Sequence, residues 1–187
     1  MGMVHITQPS QPRTGRTAVT TSAKPITQIG ATKSDTTFTA STVAAATAWD
    51  LSAVSADAGY VVTTSGGWRG EIIGVDDAGD TLTVTAWVRA GGGDRRAAAL
   101  PADGETVTIH RVDHCRGLII DAIEANTADV FVGFSSSVTV NDGHPISATA
   151  ANPNSRLMLE ALSTEFLDVT KIYIIAASTQ NISWIAL

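Results

Sequence analysis

Cysteine is almost absent from this chain of 187 residues, which contains Cys115 alone. A single cysteine cannot form an internal disulfide and excludes a cysteine-based zinc site. Charged residues are also scarce, at 16%, against about a quarter in an average domain. Because hydrophobic residues make up 44%, wholesale disorder is not expected. No apolar run approaches the roughly 20 residues of a transmembrane helix, so the sequence predicts no membrane association.

The N-terminal sequence also lacks a targeting signal. Residues 1–10 contain no apolar core of the kind that a secretory signal needs. We therefore expect synthesis in a reducing cytoplasm.

Positive charge is concentrated near the N-terminus. Residues 1–34 hold four basic residues and no acidic one, for a net charge of +4, whereas residues 35–187 hold eight basic and 18 acidic residues, for −10. A basic segment on an acidic body could steer assembly, although a solvated tail is an equal alternative. The acidic body disfavours nucleic-acid binding.

Motifs for catalysis and cofactor binding are not found. The serine-rich stretch at 133–137 does not fit the Gly-x-Ser-x-Gly pattern of a nucleophile elbow. The glycine-rich basic loop Gly91–Arg96 lacks the Lys-Ser/Thr pair of a phosphate-binding loop. Acidic residues lie in turns or at strand ends, which argues against paired carboxylates in a cleft. We predict no catalytic residues and no cofactor, and therefore no enzyme.

Two clusters contain residue types that can bind metal ions. His110, His114 and Cys115 could place a His/His/Cys set beside one strand, but two histidines without a third well-placed ligand are a weak signal. The acidic stretch from Asp76 to Asp80 lacks the ligand spacing of a calcium loop, and a surface hairpin turn is the favoured interpretation. We predict no metal site.

Period-2 alternation dominates the chain after residue 41. Thr81–Val88 alternates cleanly between threonine and apolar residues, as in a half-buried antiparallel strand. Asn141-Asp142-Gly143 is the strongest turn signal. Only Ser41–Trp49 and Ser163–Leu167 could form a helical turn or two. The predicted strands are Gly59–Thr64, Trp68–Val75, Thr81–Val88, Glu105–Val112, Gly117–Ala122, Val130–Phe134, Ser137–Val140, Arg156–Glu160, Lys171–Ala177 and Asn181–Leu187.

This spacing of strands and turns predicts an all-β fold with two small antiparallel β-sandwich or barrel modules. We place the modules at 42–116 and 117–187, behind an extended basic arm at 1–41. The arm is punctuated by proline and shows no persistent apolar period. Removal of residues 2–34 is therefore expected to leave both modules folded.

The C-terminal half resembles a module of structural proteins from tailed bacteriophages. The resemblance covers about residues 117–187 and rests on Ala128–Gly133, Val138–Ile146, Leu157–Glu160, Val169–Ala176 and Gln180–Leu187. Relative to the usual Asn-Gly turn of that module, Asp142 is inserted between Asn141 and Gly143. The resemblance implies a virion protein, made in the host cytoplasm, that has no active site.

Two functions follow from this resemblance as expectations. The first is a capsid decoration or cement protein that binds the major capsid protein. The second is a neck, tail or receptor-binding component. Low charge and small modules predict a homo-oligomer, most simply a trimer. The residues predicted to bind partners are Arg13, Arg16, Ile26, Ile29 and Trp184.

Overall fold

A computed structural model describes residues 13–89, 100–112, 114–123, 126–147, 156–161 and 166–187. The prediction of an all-β fold is confirmed, because the described residues form several antiparallel sheets and no α-helix. A single 3-10 turn spans Val169–Lys171. The N-terminal strands are β1 (Arg13–Val19), β2 (Lys24–Pro25), β3 (Gln28–Lys33), β4 (Thr36–Phe38) and β5 (Thr42–Ala45). The middle strands are β6 (Val61–Thr64), β7 (Trp68–Asp76), β8 (Thr81–Val84), β9 (Val88–Arg89) and β10 (Val107–His110). The C-terminal strands are β11 (His114–Cys115), β12 (Gly117–Ala122), β13 (Val130–Gly133), β14 (His144–Ile146), β15 (Arg156–Glu160), β16 (Leu167–Asp168), β17 (Tyr173–Ala176) and β18 (Gln180–Ala186).

The described residues form two compact units. The first, which we call the terminal unit, combines residues up to 26 with residues from 114 to 187. The second, which we call the inserted unit, comprises residues 27–113. The terminal unit is therefore discontinuous along the chain.

The terminal unit is β-sandwich-like and contains two four-stranded sheets. One has the order β1-β18-β12-β15 and the other β14-β13-β17-β2, while β11 and β16 form a separate pair. Residues alternate between buried and accessible along β18, where Ile182 and Trp184 are buried and Ser183 and Ile185 are half-buried. This alternation is expected of strands that have one face in a core and the other toward solvent.

The inserted unit contains one curled sheet of eight strands. Its main order is β3-β10-β6-β7-β8-β5-β4, and β9 pairs with β7. The two edge strands, β3 and β4, are separated along the chain only by Ser34 and Asp35. The sheet must therefore curl until its edges meet at this corner. Its core includes Val43, Trp49, Leu51, Val62, Ile72, Leu82, Val107 and Ile109.

The structure corrects the predicted domain boundaries. Residues 13–41 do not form a separate arm, because they contain β1 to β4, which belong to both units. The units divide after residue 26 and near residue 113, rather than at 41/42 and 116/117. The arm was misassigned because β1 has glycine, arginine and threonine where an apolar period would otherwise reveal a strand. Residues 1–12 lie outside the described residues.

Several local predictions also differ from the structure. Ser41–Trp49 contains strand β5 instead of a helical turn, because Val43 is fully buried between neighbouring strands. Ser137–Val140 forms turns and no strand. Thr81–Val88 is divided into β8 and β9, which both pair with β7. Most of Ser163–Leu167 lies outside the described residues.

Candidate interaction surface

The solvent-facing side of the sheet β1-β18-β12-β15 carries a row of apolar side chains. Ile119 of β12 is in register with Met158 of β15 on one side and Ile185 of β18 on the other. Met158 is 56% exposed, and Leu187, just beyond β18, is 53% exposed. Ile119 and Ile185 are half-buried beside them. We call Ile119, Met158, Ile185 and Leu187 the apolar row. A contiguous group of solvent-facing apolar residues on a sheet is typical of an interaction site.

A polar row lies beside the apolar row on the same face. Four residues are aligned across the sheet, in the order Arg16 of β1, Ser183 of β18, Asp121 of β12 and Arg156 of β15. The Arg156 guanidinium donates to both carboxylate oxygens of Asp121, at 2.6 and 3.1 Å. These hydrogen bonds and the negative charge of Asp121 raise the pKa of Arg156. An apolar centre with a charged margin is the usual composition of a protein-binding surface.

Among the residues predicted to bind partners, only Arg16 is exposed on this face. Arg13 is half-buried at the start of β1. Ile26 and Trp184 are buried in the terminal unit, and Ile29 is buried in the core of the inserted unit. The structure therefore places these three apolar side chains within the chain's own packing.

Trp184 organises the inner side of the same sheet. Its indole Nε1 donates to the Thr17 hydroxyl at 3.1 Å, and that hydroxyl donates to the Ile26 carbonyl at 2.7 Å. The indole also lies against Gly15, where a side chain would overlap the ring. Because buried polar groups must be paired, these two hydrogen bonds hold β1 on its sheet. They also connect β1 to Ile26, which directly follows strand β2 of the other four-stranded sheet.

The histidine and cysteine cluster is dispersed between the two units. His110 ends β10 and is buried, with Nδ1 3.2 Å from the Thr27 hydroxyl and Nε2 2.9 Å from the Thr63 hydroxyl. His114 and Cys115 belong to β11 in the terminal unit. Among the described residues, no group of three or more His, Cys, Asp or Glu could hold a metal ion.

The aspartates at 76–80 connect strands β7 and β8 as a hairpin turn. Asp80 accepts a hydrogen bond from the Trp49 N–H at 2.5 Å, and Asp77 accepts one from the Leu51 N–H at 2.7 Å. These carboxylates therefore satisfy backbone donors of a segment that contributes Trp49 and Leu51 to the core.

Glu105 is a second structural carboxylate in the inserted unit. Its Oε2 accepts from the Thr64 hydroxyl and from the Gly66 N–H, and its Oε1 accepts from the Ala102 N–H at 2.9 Å. Burial alone would raise the pKa of Glu105, but these hydrogen bonds and the charge of Arg89 outweigh it, so the pKa is lowered. The ionised carboxylate thus holds two loops together.

Two further sequence predictions concern the glycine-rich loop and membrane-spanning segments. The glycine-rich loop Gly91–Arg96 lies outside the described residues. Within the parts of the chain that the structure describes, no helix has the length and hydropathy to cross a membrane.

In comparisons with known proteins, no family model matches the chain, and no curated protein or solved structure matches it.

The apolar row was not identified from the sequence. The signal was available, because Met158 and Ile119 each lie between two apolar residues, so both faces of β15 and β12 carry an apolar side chain at these positions. One outward position of each strand is thus apolar where threonine or charge would be usual, while Arg156, Glu160 and Asp121 are outward and charged. Only the register shows that the outward residues of three strands form one surface.

Proposed function

We propose that this protein is a non-enzymatic structural component of a tailed-bacteriophage virion, and that it decorates the capsid. The apolar row is the observation that carries this proposal. An exposed apolar surface on a sheet suits stable attachment to another protein, and the resemblance over residues 117–187 supports the virion as its setting.

The proposed partners are the major capsid protein and other copies of the chain. The outer face of the sheet would meet the capsid through the apolar row, and Arg16 would contribute at its charged margin. Exposed ion pairs contribute roughly 0–1 kcal/mol each, so apolar contacts would dominate attachment. The chain would form a homo-oligomer on the particle, and the trimer predicted from the sequence is one such assembly.

Binding to particles tests the role of this surface. Ile185→Asp introduces a charge into the apolar row, whereas Ser183→Asp introduces the same charge on the same strand and face, in the polar row. We expect empty particles to bind the Ile185 variant poorly and the Ser183 variant nearly as well as the unmodified protein. Equal binding of both variants would show that the apolar row is not the attachment surface.

Copy number separates decoration from the alternative, a neck, tail or receptor-binding component. Densitometry of purified particles should give hundreds of copies for a capsid decorator, because the head lattice repeats that often. A neck or tail part would be present in about six to eighteen copies, as the symmetry of those structures dictates. Absence of the protein from purified particles would refute both assignments.

A further inference from the structure

Among the residues that the structure describes, strand β15 lies at the edge of its sheet. In the described residues it pairs with β12 alone, through five consecutive positions with no bulge. Its residues alternate between exposed and half-buried, and Met158 at the centre is 56% exposed. An edge of this kind is a template for another strand unless proline, a bulge or uncompensated charge blocks it. Strand β15 has no proline and no bulge, and its two charged residues, Arg156 and Glu160, are of opposite sign.

The direction of the free backbone groups follows from the hydrogen-bond pattern. The Ala161 N–H donates to the Arg116 carbonyl at 2.8 Å, so positions 161, 159 and 157 form their backbone bonds toward β12. On the other side of β12, Gly117 and Leu187 exchange hydrogen bonds, which leaves Leu118 and Ile120 to bond with β15. The N–H and C=O groups of Arg156, Met158 and Glu160 therefore point away from β12, toward the open side.

The sequence of β15, Arg-Leu-Met-Leu-Glu, is complementary to itself in an antiparallel arrangement. With Met158 opposite a second Met158, each leucine faces a leucine, and Arg156 faces Glu160. Opposite charges on directly facing residues stabilise an antiparallel pair, and like charges destabilise it. Because the three residues with outward backbone groups are 156, 158 and 160, this register also aligns every free donor with a free acceptor.

The other edges of the two four-stranded sheets lack this property. Strand β14 contains Pro145 and strand β2 contains Pro25, and proline has no N–H to donate. Strand β1 has Arg16 at its centre, so self-pairing there would oppose two like charges. Strand β15 differs from these three strands because it has no proline and carries opposite charges at its two ends.

We propose that β15 is a self-association edge, at which two copies of the chain pair antiparallel about a two-fold axis through Met158. The β1-β18-β12-β15 sheets of the two copies then form one continuous eight-stranded sheet. Arg156 lies between Asp121 of its own sheet and the partner's Glu160, so the ion pair seen within one chain extends across the axis. Such a contact is isologous and closes with two copies. It does not depend on the proposed place of the protein on a virion.

Charge reversal tests the register directly. Glu160→Arg places Arg opposite the partner's Arg156, and Arg156→Glu places Glu opposite the partner's Glu160. Each variant alone should weaken the dimer by about tenfold or more in Kd, because two facing pairs become repulsive. An equimolar mixture of the two variants should regain dimers, since every facing pair is then of opposite charge.

Sedimentation velocity over micromolar concentrations measures this effect, and Glu160→Gln serves as the control that removes a charge without reversing it. Recovery in the mixture cannot come from misfolded chains, so it distinguishes the interface from a loss of stability. Self-association that is unchanged in both single variants, or a mixture that stays as weak as its components, would overturn the proposal. A homotrimer insensitive to either substitution would also overturn it.

Amide hydrogen exchange gives an independent readout on the unmodified chain. The amides of 156, 158 and 160 should gain protection as concentration rises through the Kd, while those of 157 and 159 stay protected throughout by their bonds to β12. Unprotected amides at 156, 158 and 160, at concentrations where the chain sediments as a dimer, would rule out pairing at this edge.

Discussion

Gly15 shows how one residue can determine whether a strand joins its sheet. It is aligned with Trp184 across the β1–β18 pair, and the indole occupies the space where a side chain would project. The indole N–H then reaches Thr17 two positions along the same strand. A bulky buried residue on β18 therefore requires a glycine on β1, which is why β1 lacks the apolar alternation of its neighbours.

Gly15→Ala should destabilise the protein by about 1–3 kcal/mol, because the added methyl group overlaps the Trp184 ring in a packed interior. Gly117→Ala in β12 is the matched control, since a methyl group there meets its nearest neighbour at 3.6 Å, an ordinary contact. Denaturant unfolding followed by tryptophan fluorescence measures both. Equal stability of the two variants would mean that the ring is not held against Gly15.

Glu105 predicts how stability depends on pH. Its folded pKa is lowered, so the unfolded carboxyl, with a pKa of about 4.3, takes up a proton first as the pH falls. The contribution of Glu105 is therefore complete above the unfolded pKa and is lost as the pH falls through the folded pKa.

Glu105→Gln should flatten the loss of stability below pH 5 and cost about 1–3 kcal/mol at neutral pH, since its hydrogen-bonding partners lose a charged acceptor. Unfolding free energies measured at a series of pH values give both quantities. Glu71→Gln, on the exposed side of β7, accounts for the loss of one surface charge. An acid profile unchanged by Glu105→Gln would contradict the assignment.

At the level of elements, the N-terminal strands belong to both units. Strand β1 pairs with β18 over its whole length, and β3 pairs with β10 beside the core of the inserted unit. The expectation that residues 2–34 can be removed without loss of folding therefore does not agree with the structure. Without β1, the edge of β18 would lose its backbone hydrogen-bonding partners, and the Trp184 indole would lose its contacts with Gly15 and Thr17.

A chain lacking residues 2–34 should fail to fold, whereas a chain lacking residues 2–12 keeps every described strand and should fold with an unchanged melting temperature. Circular dichroism and thermal melting of the two purified variants distinguish these outcomes. A cooperative β-sheet melt from the larger deletion would mean that β1 and β3 are dispensable.

At the level of the whole molecule, the order of residues along the chain is a poor guide to its organisation. The chain starts in the terminal unit, leaves after residue 26 to form the inserted unit, and returns near residue 113. The net charges of the two units differ less than those of the predicted basic arm and acidic body. Residues 1–26 and 114–187 together hold six basic and seven acidic residues, net −1, and residues 27–113 hold six basic and eleven acidic residues, net −5.

The fold class and much of the local structure follow from local patterns in the sequence. Gly117–Ala122 and Arg156–Glu160 were predicted with the bounds that the structure has, and the final strand differs by one residue at each end. These strands could be identified because period-2 alternation and the turns that end a strand are local properties of the chain.

The pairing of the strands, and the face of each strand that remains exposed, depend on contacts between residues far apart in the chain. The hydrogen bond from Trp184 to Thr17 joins residues 167 positions apart, and no local pattern encodes such a contact. For the same reason Trp184 and Ile26, predicted to meet partners, are buried in the chain, while Ile119, Met158 and Ile185 lie in the apolar row on the solvent-facing side of the sheet. Alternation divides the residues of a strand into two faces, but the packing of the other sheet determines which face is buried.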